Sequence, residues 1–214
     1  MENKLLRVYL KPLYLKSMIK IGITGGIACG KSTAAKYLGK KKNIFIFNAD
    51  RESKKHLKSS SSIQKKLMNV FGEKIIKNKK IQLDILAKIA FSNSTNHKIL
   101  NGIIWPEISV LIEQAYNEAK NKNCKLFIVD AALIFEANFT SFFNKTILIS
   151  TNKPNRIKRA INRRNLSLED IQNRIFLQMP EKDKKEMADI TIYNNGNINN
   201  LYSKLDKLYI DLLQ

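Results

Sequence analysis

Apolar residues follow two rhythms along the chain. Short unbroken apolar runs predict buried strands at Ile19–Thr24, Asn43–Asp50 ("NIFIFNAD"), Lys125–Glu136 ("KLFIVDAALIFE"), Lys145–Thr151 ("KTILIST") and Asp189–Asn194 ("DITIYN"). Elsewhere apolar positions recur every three or four residues, the period of a helix with one buried face. Lys31–Leu38 begins one helix, and Pro154 opens a basic one through Arg164. Ser167-x-x-Asp170 caps another, to about Met179, and Leu201, Leu205, Leu208 and Leu212 mark the last. Strands separated by helices predict an α/β fold, here a five-stranded parallel sheet covered on both faces.

From Ser53 to Asn123 the helical period runs without a strand. Ser61-x-x-Gln64 has capping-box spacing ahead of Ile63, Leu67, Val70 and Phe71, and Leu83, Leu86, Ile89 and Ala90 form a second stripe. Pro106 is expected in the first turn of a third helix, striped by Ile108, Leu111, Ile112, Ala115 and Ala119. This stretch is too long for one crossover. Residues 53–123 are therefore expected to form a helical lobe on a core made of residues 18–52 and 124–214. Residues 1–17 lack a continuous apolar segment and a small-residue cleavage site, which argues against a secretory signal. They read as a tail or an upstream extension, with Met18 offering an alternative start.

Composition narrows the function only a little. The 214 residues suit one domain with an inserted lobe, the 44% hydrophobic content argues against disorder, and no apolar run is long enough for a bilayer. Lys and Arg number 38 against 18 acids, a net charge of +20. Such a balance suits nucleic acid, an anionic membrane or a phosphorylated small molecule. The charge is spread rather than clustered, and Lys, Asn and Ile are abundant even in loops, as AT-rich coding produces. Neither a nucleic acid nor a membrane is expected as partner. Cys29 and Cys124 are far apart and fit no metal spacing, as reduced thiols of a cytoplasmic protein would.

The chemistry concentrates in one turn. Gly25-x-x-x-x-Gly30-Lys31-Ser32 follows a predicted strand and opens a predicted helix, the context that makes a phosphate-binding loop specific. Glycines let backbone N–H groups converge on an anion, and the helix N-terminus points its positive end at the same place. Lys31 supplies a cation for the β- and γ-phosphates of a nucleotide, and the Ser32 hydroxyl a ligand for Mg²⁺. Ala28 and Cys29 contribute mainly backbone, with Cys29 read as a small space-filler. A GTPase is disfavoured: "NKPN" (Asn152–Asn155) lacks the carboxylate that reads guanine. Asp50, at a predicted strand end, suits either proton abstraction from a hydroxyl or capping of the following helix. Arg156, Arg159 and Arg163 share a helix face, suited either to a lid over phosphates or to solvent. Trp105 reads as lobe packing, and His56 and His97 have no partner set suggesting catalysis.

Five blocks, "ITGGIACGKST", "FNAD", "DAALIFE", "RIKRAINRR" and "ADITIYNNG", in this order from about Met18 to the C-terminus, together resemble the dephospho-CoA kinases. The resemblance implies a three-layer P-loop kinase fold with a mobile lid at about residues 154–180. It implies transfer of the ATP γ-phosphoryl group, with Mg²⁺, to the ribose 3′-hydroxyl of dephospho-CoA, the last step of coenzyme A synthesis. Carried over residue by residue, it makes Asp50 the general base and Lys31, Arg159 and Arg163 the charge neutralisers. Thr24, Gly25, Gly26, Ile27, Ala28, Cys29, Gly30, Lys31, Ser32 and Thr33 would hold ATP, with Ser32 on Mg²⁺ and Asn194 and Gly196 near the adenine. Leu133, Phe135 and Glu136, with Asp50, would lie on the acceptor side, and the helical lobe would bind the acceptor. A monomer or small homo-oligomer is expected. The chain departs from the family pattern at Asn48 (usually Asp), Leu83 (Arg), Trp105 (His), Ala132 (Pro) and Arg156 (Gln). The rival readings are a related nucleoside or nucleotide kinase, and a basic nucleic-acid-binding protein with a vestigial P-loop.

Overall fold

The structure, a computed structural model, describes residues 18–164 and 167–214; the expected tail, residues 1–17, lies outside the described residues. In chain order the elements are β1 (Ile19–Thr24), α1 (Lys31–Leu38), β2 (Ile44–Asn48), α2 (Ala49–Ser59) and α3 (Ser61–Phe71). Then come a hairpin of β3 (Ile76–Lys77) and β4 (Lys80–Ile81), α4 (Leu83–Ala90), α5 (Ser94–Asn121), β5 (Leu126–Asp130) and β6 (Lys145–Ser150). The chain closes with α6 (Lys153–Arg164), α7 (Leu168–Phe176), α8 (Glu181–Met187), β7 (Ile190–Tyr193) and α9 (Ile198–Leu213).

The five long strands form one parallel sheet in the order β2-β5-β1-β6-β7. Successive side chains of a strand point to opposite faces, so a strand buried on both faces reads as continuously apolar. In β5, Leu126 and Ile128 pack with α1 and α9 on one face, while Phe127 and Val129 pack on the other against Ile108, Ile112, Ala115 and Ala119 of α5. A third cluster, built from Leu57, Ile63, Leu67, Phe71, Ile75, Leu86 and Leu100, holds α2–α5 together away from the sheet.

Several elements differ from the expected ones. The third strand stops at Asp130 rather than Glu136, because β1 ends at Thr24 and the Ala131 N–H makes the last bond to the Ile23 carbonyl. The chain then turns, and Ile134 and Phe135 fold back into the sheet–α5 core. Ser60, not Ser61, caps α3 through the Ile63 N–H (3.4 Å), while the Gln64 amide donates to the carbonyls of Leu57 and Lys58 and closes α2. Pro106 stands in the middle of one 28-residue helix that starts from the Asn93 cap. The hairpin turn at Asn78-Lys79, both with positive φ, and the short α8 lack glycine or stripe signals in the sequence. Helix α7 ends at Phe176 rather than about Met179. No helix among the described residues is long and apolar enough to cross a membrane.

Candidate active site

The β1–α1 turn carries the glycines and Lys31 at the carboxyl edge of the sheet, where parallel sheets gather their sites. Gly30 caps α1 in the left-handed region (φ 101°), and a Cβ there would collide with the Asn194 amide. No side chain caps α1, which leaves its first N–H groups directed at the cleft. The loop is braced from below. The Cys29 carbonyl accepts from the Asn194 amide (2.8 Å) and the Thr151 hydroxyl (2.9 Å). Burial pushes the Cys29 thiol up, against the pull of Lys31, so it stays neutral as a space-filler. Thr24, at the end of β1, donates to the Ala132 carbonyl (3.1 Å) and ties the strand to the segment after β5.

Three strand ends converge on Lys31. Asp130 pairs in register with Ile23 of β1 and Asn48 of β2. Lys31 is 9% exposed, and its ammonium lies 3.4 Å from Asp130 Oδ1 and 3.7 Å from Asp50 Oδ2. Burial alone would lower the Lys31 pKa, but the charges of Asp50 and Asp130 outweigh it and hold the group above the ordinary lysine value. Asp130 is 1% exposed; its Oδ2 accepts from the Asn48 amide (2.6 Å), while Oδ1 has no hydrogen bond. The same Asn48 side chain caps α2 by accepting from the Arg51 N–H (2.8 Å). An amide serves both jobs at once, where a carboxylate would confront Asp130 with like charge.

Asp50 therefore sits in the first turn of α2, not at a strand end, and β5 separates β2 from the P-loop strand. The Asp50 side chain is 55% exposed and lines a cleft of about 690 Å³ that runs from residues 26–33 to α2, α4 and α5. Leu133 and Trp105 line it too, Trp105 packing on Phe139 at 5.7 Å between ring centroids. At the far side the Arg174 guanidinium lies 4.5 Å above the Phe91 ring, next to His97.

The remaining expected site residues are distributed around the cleft and behind it. Phe135 is buried in the sheet–α5 core. Glu136 binds the buried Lys184 (2.7 Å) and the Met179 N–H (3.0 Å), joining the segment after β5 to α8. Arg159 donates to the Thr151 hydroxyl (3.4 Å), at the support of the loop. Arg163 lies on α6, its side chain outside the described residues. Asn194 braces the loop as above, and Gly196 is in the exposed turn before α9. Ser32 and Thr33 start α1 at the cleft. Asp130 and Thr151 stand at the site without belonging to the set expected from the sequence. The signal for Asp130 was available, a lone carboxylate ending an apolar run; its closeness to Lys31 depends on β5 lying beside β1.

Magnesium held with a nucleotide keeps most of its coordination from phosphate and water, and takes only one or two protein oxygens. The Ser32 hydroxyl and the Asp130 carboxylate, with its unbonded Oδ1 beside Lys31, are donors of that kind, so the residues fit the ion.

Residues 19–200 match the family model described as dephospho-CoA kinase. A dephospho-CoA kinase of Fusobacterium nucleatum is 33% identical over 193 residues, covering 89% of this chain and 97% of that protein. A solved structure of TT1252 from Thermus thermophilus superposes with a TM-score of 0.74 at 26% identity, over 91% of this chain and 98% of that one. The dephospho-CoA kinase from Campylobacter jejuni does so with a TM-score of 0.64 at 28% identity, over 90% and 96%. A match of this extent, on a P-loop whose lysine is held between two strand-end carboxylates, establishes that the chain belongs to the dephospho-CoA kinase family.

Proposed function

We propose that the protein transfers the γ-phosphoryl group of ATP to the ribose 3′-hydroxyl of dephospho-CoA, giving coenzyme A and ADP. One observation carries this reading: a charged Lys31, flanked by Asp130 and an accessible Asp50, at the head of a cleft that continues into the helical lobe. Phosphoryl transfer needs little covalent help from protein; it needs alignment and neutralised charge.

The N–H groups of residues 25–33 other than Ile27 and Cys29, whose N–H groups are already bonded, hold the triphosphate, and Lys31 answers the charge on its outer oxygens. Arg159 and Arg163 add positive charge from the lid, residues 154–180. Ser32 and Asp130 would hold Mg²⁺, which would supply neutralising positive charge beside the transferring phosphoryl group. Asp50 accepts the proton of the acceptor hydroxyl, a role supported by its exposure to the cleft and its place opposite the loop. The lobe, residues 53–123, receives the acceptor, with Leu133 at the boundary. Lid closure excludes water, the competing acceptor. Two free cysteines among the described residues support a cytoplasmic setting.

The test is ADP release with ATP and Mg²⁺, run with dephospho-CoA and with a panel of nucleosides and nucleotides. Turnover confined to dephospho-CoA, with coenzyme A as product, is the expected result. Turnover only with the panel would make the protein a nucleoside or nucleotide kinase instead.

A further inference from the structure

Ile27 stands at the crest of the phosphate loop, and both of its backbone polar groups are bonded to side chains from the lid side of the molecule. Its carbonyl accepts from Arg156 Nε of α6 (3.0 Å), and its N–H donates to Gln178 Oε1, just past α7 (3.1 Å). Arg156 is only 6% exposed, and its other arm reaches Glu181 Oε2 of α8 at 3.4 Å. The guanidinium lies directly on Gly26, where any Cβ would collide with it. A cation this deeply buried is sustained only by such partners.

The residue after Ile27 shows what the bonds hold. Ala28 has φ 59°, the left-handed region that a residue with a Cβ avoids. Such a conformation persists when its surroundings over-determine it. Fixing the Ile27 N–H and C=O holds the peptide units on both sides of Ile27 and pins the turn at the point where that strain sits. Neither Arg156 nor Gln178 need touch the reacting atoms to matter; each acts through the shape of the loop.

We propose that Arg156 and Gln178 are positioning residues for the phosphate loop, with Glu181 orienting Arg156, and that they tie the geometry of the ATP site to the segment from α6 to α8. This rests on residues 25–33 being the ATP site. It also gives Arg156 a use of its own, since a guanidinium serves a carbonyl and a carboxylate together, which a Gln amide with its single NH₂ group does less well.

The experiment measures ATP affinity, dephospho-CoA affinity, kcat and melting temperature for the wild type, Arg156→Leu, Arg156→Lys and Gln178→Leu. Loss of either bond is expected to weaken ATP binding by about tenfold. Dephospho-CoA affinity should stay within about twofold, and Arg156→Lys, which keeps a donor for Ile27, should recover part of the loss. Equal weakening of both ligands, or unchanged ATP affinity, overturns the proposal. If Arg156→Leu does not fold, Gln178→Leu decides by the same criterion, because it removes one bond at a half-buried position. A wild-type protein that binds no ATP refutes the ATP site itself, and is thereby distinguished from a wild type that binds while the variants bind equally well.

Discussion

The pair of Lys31 and Asp130 makes a strong quantitative prediction. At 3.4 Å, and with an effective dielectric of about 20, their attraction is about 5 kcal/mol, of which desolvation of both groups cancels a part. Removing one member of such a pair strands the other, at a cost of about 3–5 kcal/mol. Asp50 at 3.7 Å partly covers for Asp130, but its side chain is more than half exposed and contributes about 1 kcal/mol or less. Asp130→Asn should therefore destabilise by about 3 kcal/mol, roughly 6–12 °C in melting temperature for a chain of this size. Lys31→Met should cost about as much, since it leaves a buried carboxylate with only the Asn48 amide. The double variant removes both charges and should recover about 2 kcal/mol relative to the sum of the singles. Urea melts of the four proteins at neutral pH measure this coupling without reference to activity, which Lys31→Met should abolish in any case. If the two single effects add within about 0.5 kcal/mol, the pair is not an energetic unit and the reasoning fails.

Other expectations are narrower. Asp50→Asn should lower kcat by about 10²–10⁴ while moving stability by about 1 kcal/mol or less; wild-type ADP release would remove Asp50 from the role of base. Asp189 accepts from the Thr146 N–H (2.7 Å) and hydroxyl (2.8 Å), and chiefly the backbone bond holds its carboxyl below the ordinary aspartate value. A lowered folded-state pKa stabilises above the unfolded-state value and is lost as pH falls through the folded one. The stability gap between wild type and Asp189→Asn should accordingly shrink on acidification below about pH 4, and a gap constant from neutral to acid pH would contradict it. Lys79→Gly should stabilise by about 0.5–1 kcal/mol, because Lys79 has φ 57° in a two-residue hairpin turn that favours glycine; equilibrium unfolding showing a loss would count against that turn geometry.

How much of this was readable from the chain depends on the range of the interaction. The strands and the phosphate turn were legible because continuous apolar burial and a glycine-rich strand-to-helix turn are local requirements. β1 begins and ends where its apolar run does, and β6 differs from its run by one residue. Pro106 misled because a proline usually starts a helix; here packing of Leu100 and Ile103 before it and Ile108 and Ile112 after it carries the helix through. The turn at Asn78-Lys79 carries no glycine to announce it. The lateral order of strands is not written locally at all. The meeting of Asp130, Asn48 and Lys31 follows from β5 lying between β2 and β1, and so does the double duty of Asn48.

Helix α5 runs for about 42 Å and belongs to two hydrophobic clusters, with Ile104 packing against both. Two residues on, Pro106 has no N–H to offer the Gly102 carbonyl, and Gly102 has open space where a side chain would be. The beam's missing rung thus falls at the seam between its two loads. A tilt of the distal helices relative to the sheet bends least expensively at that seam, so any breathing of the cleft mouth would pivot on Gly102–Pro106 rather than on a flexible connector.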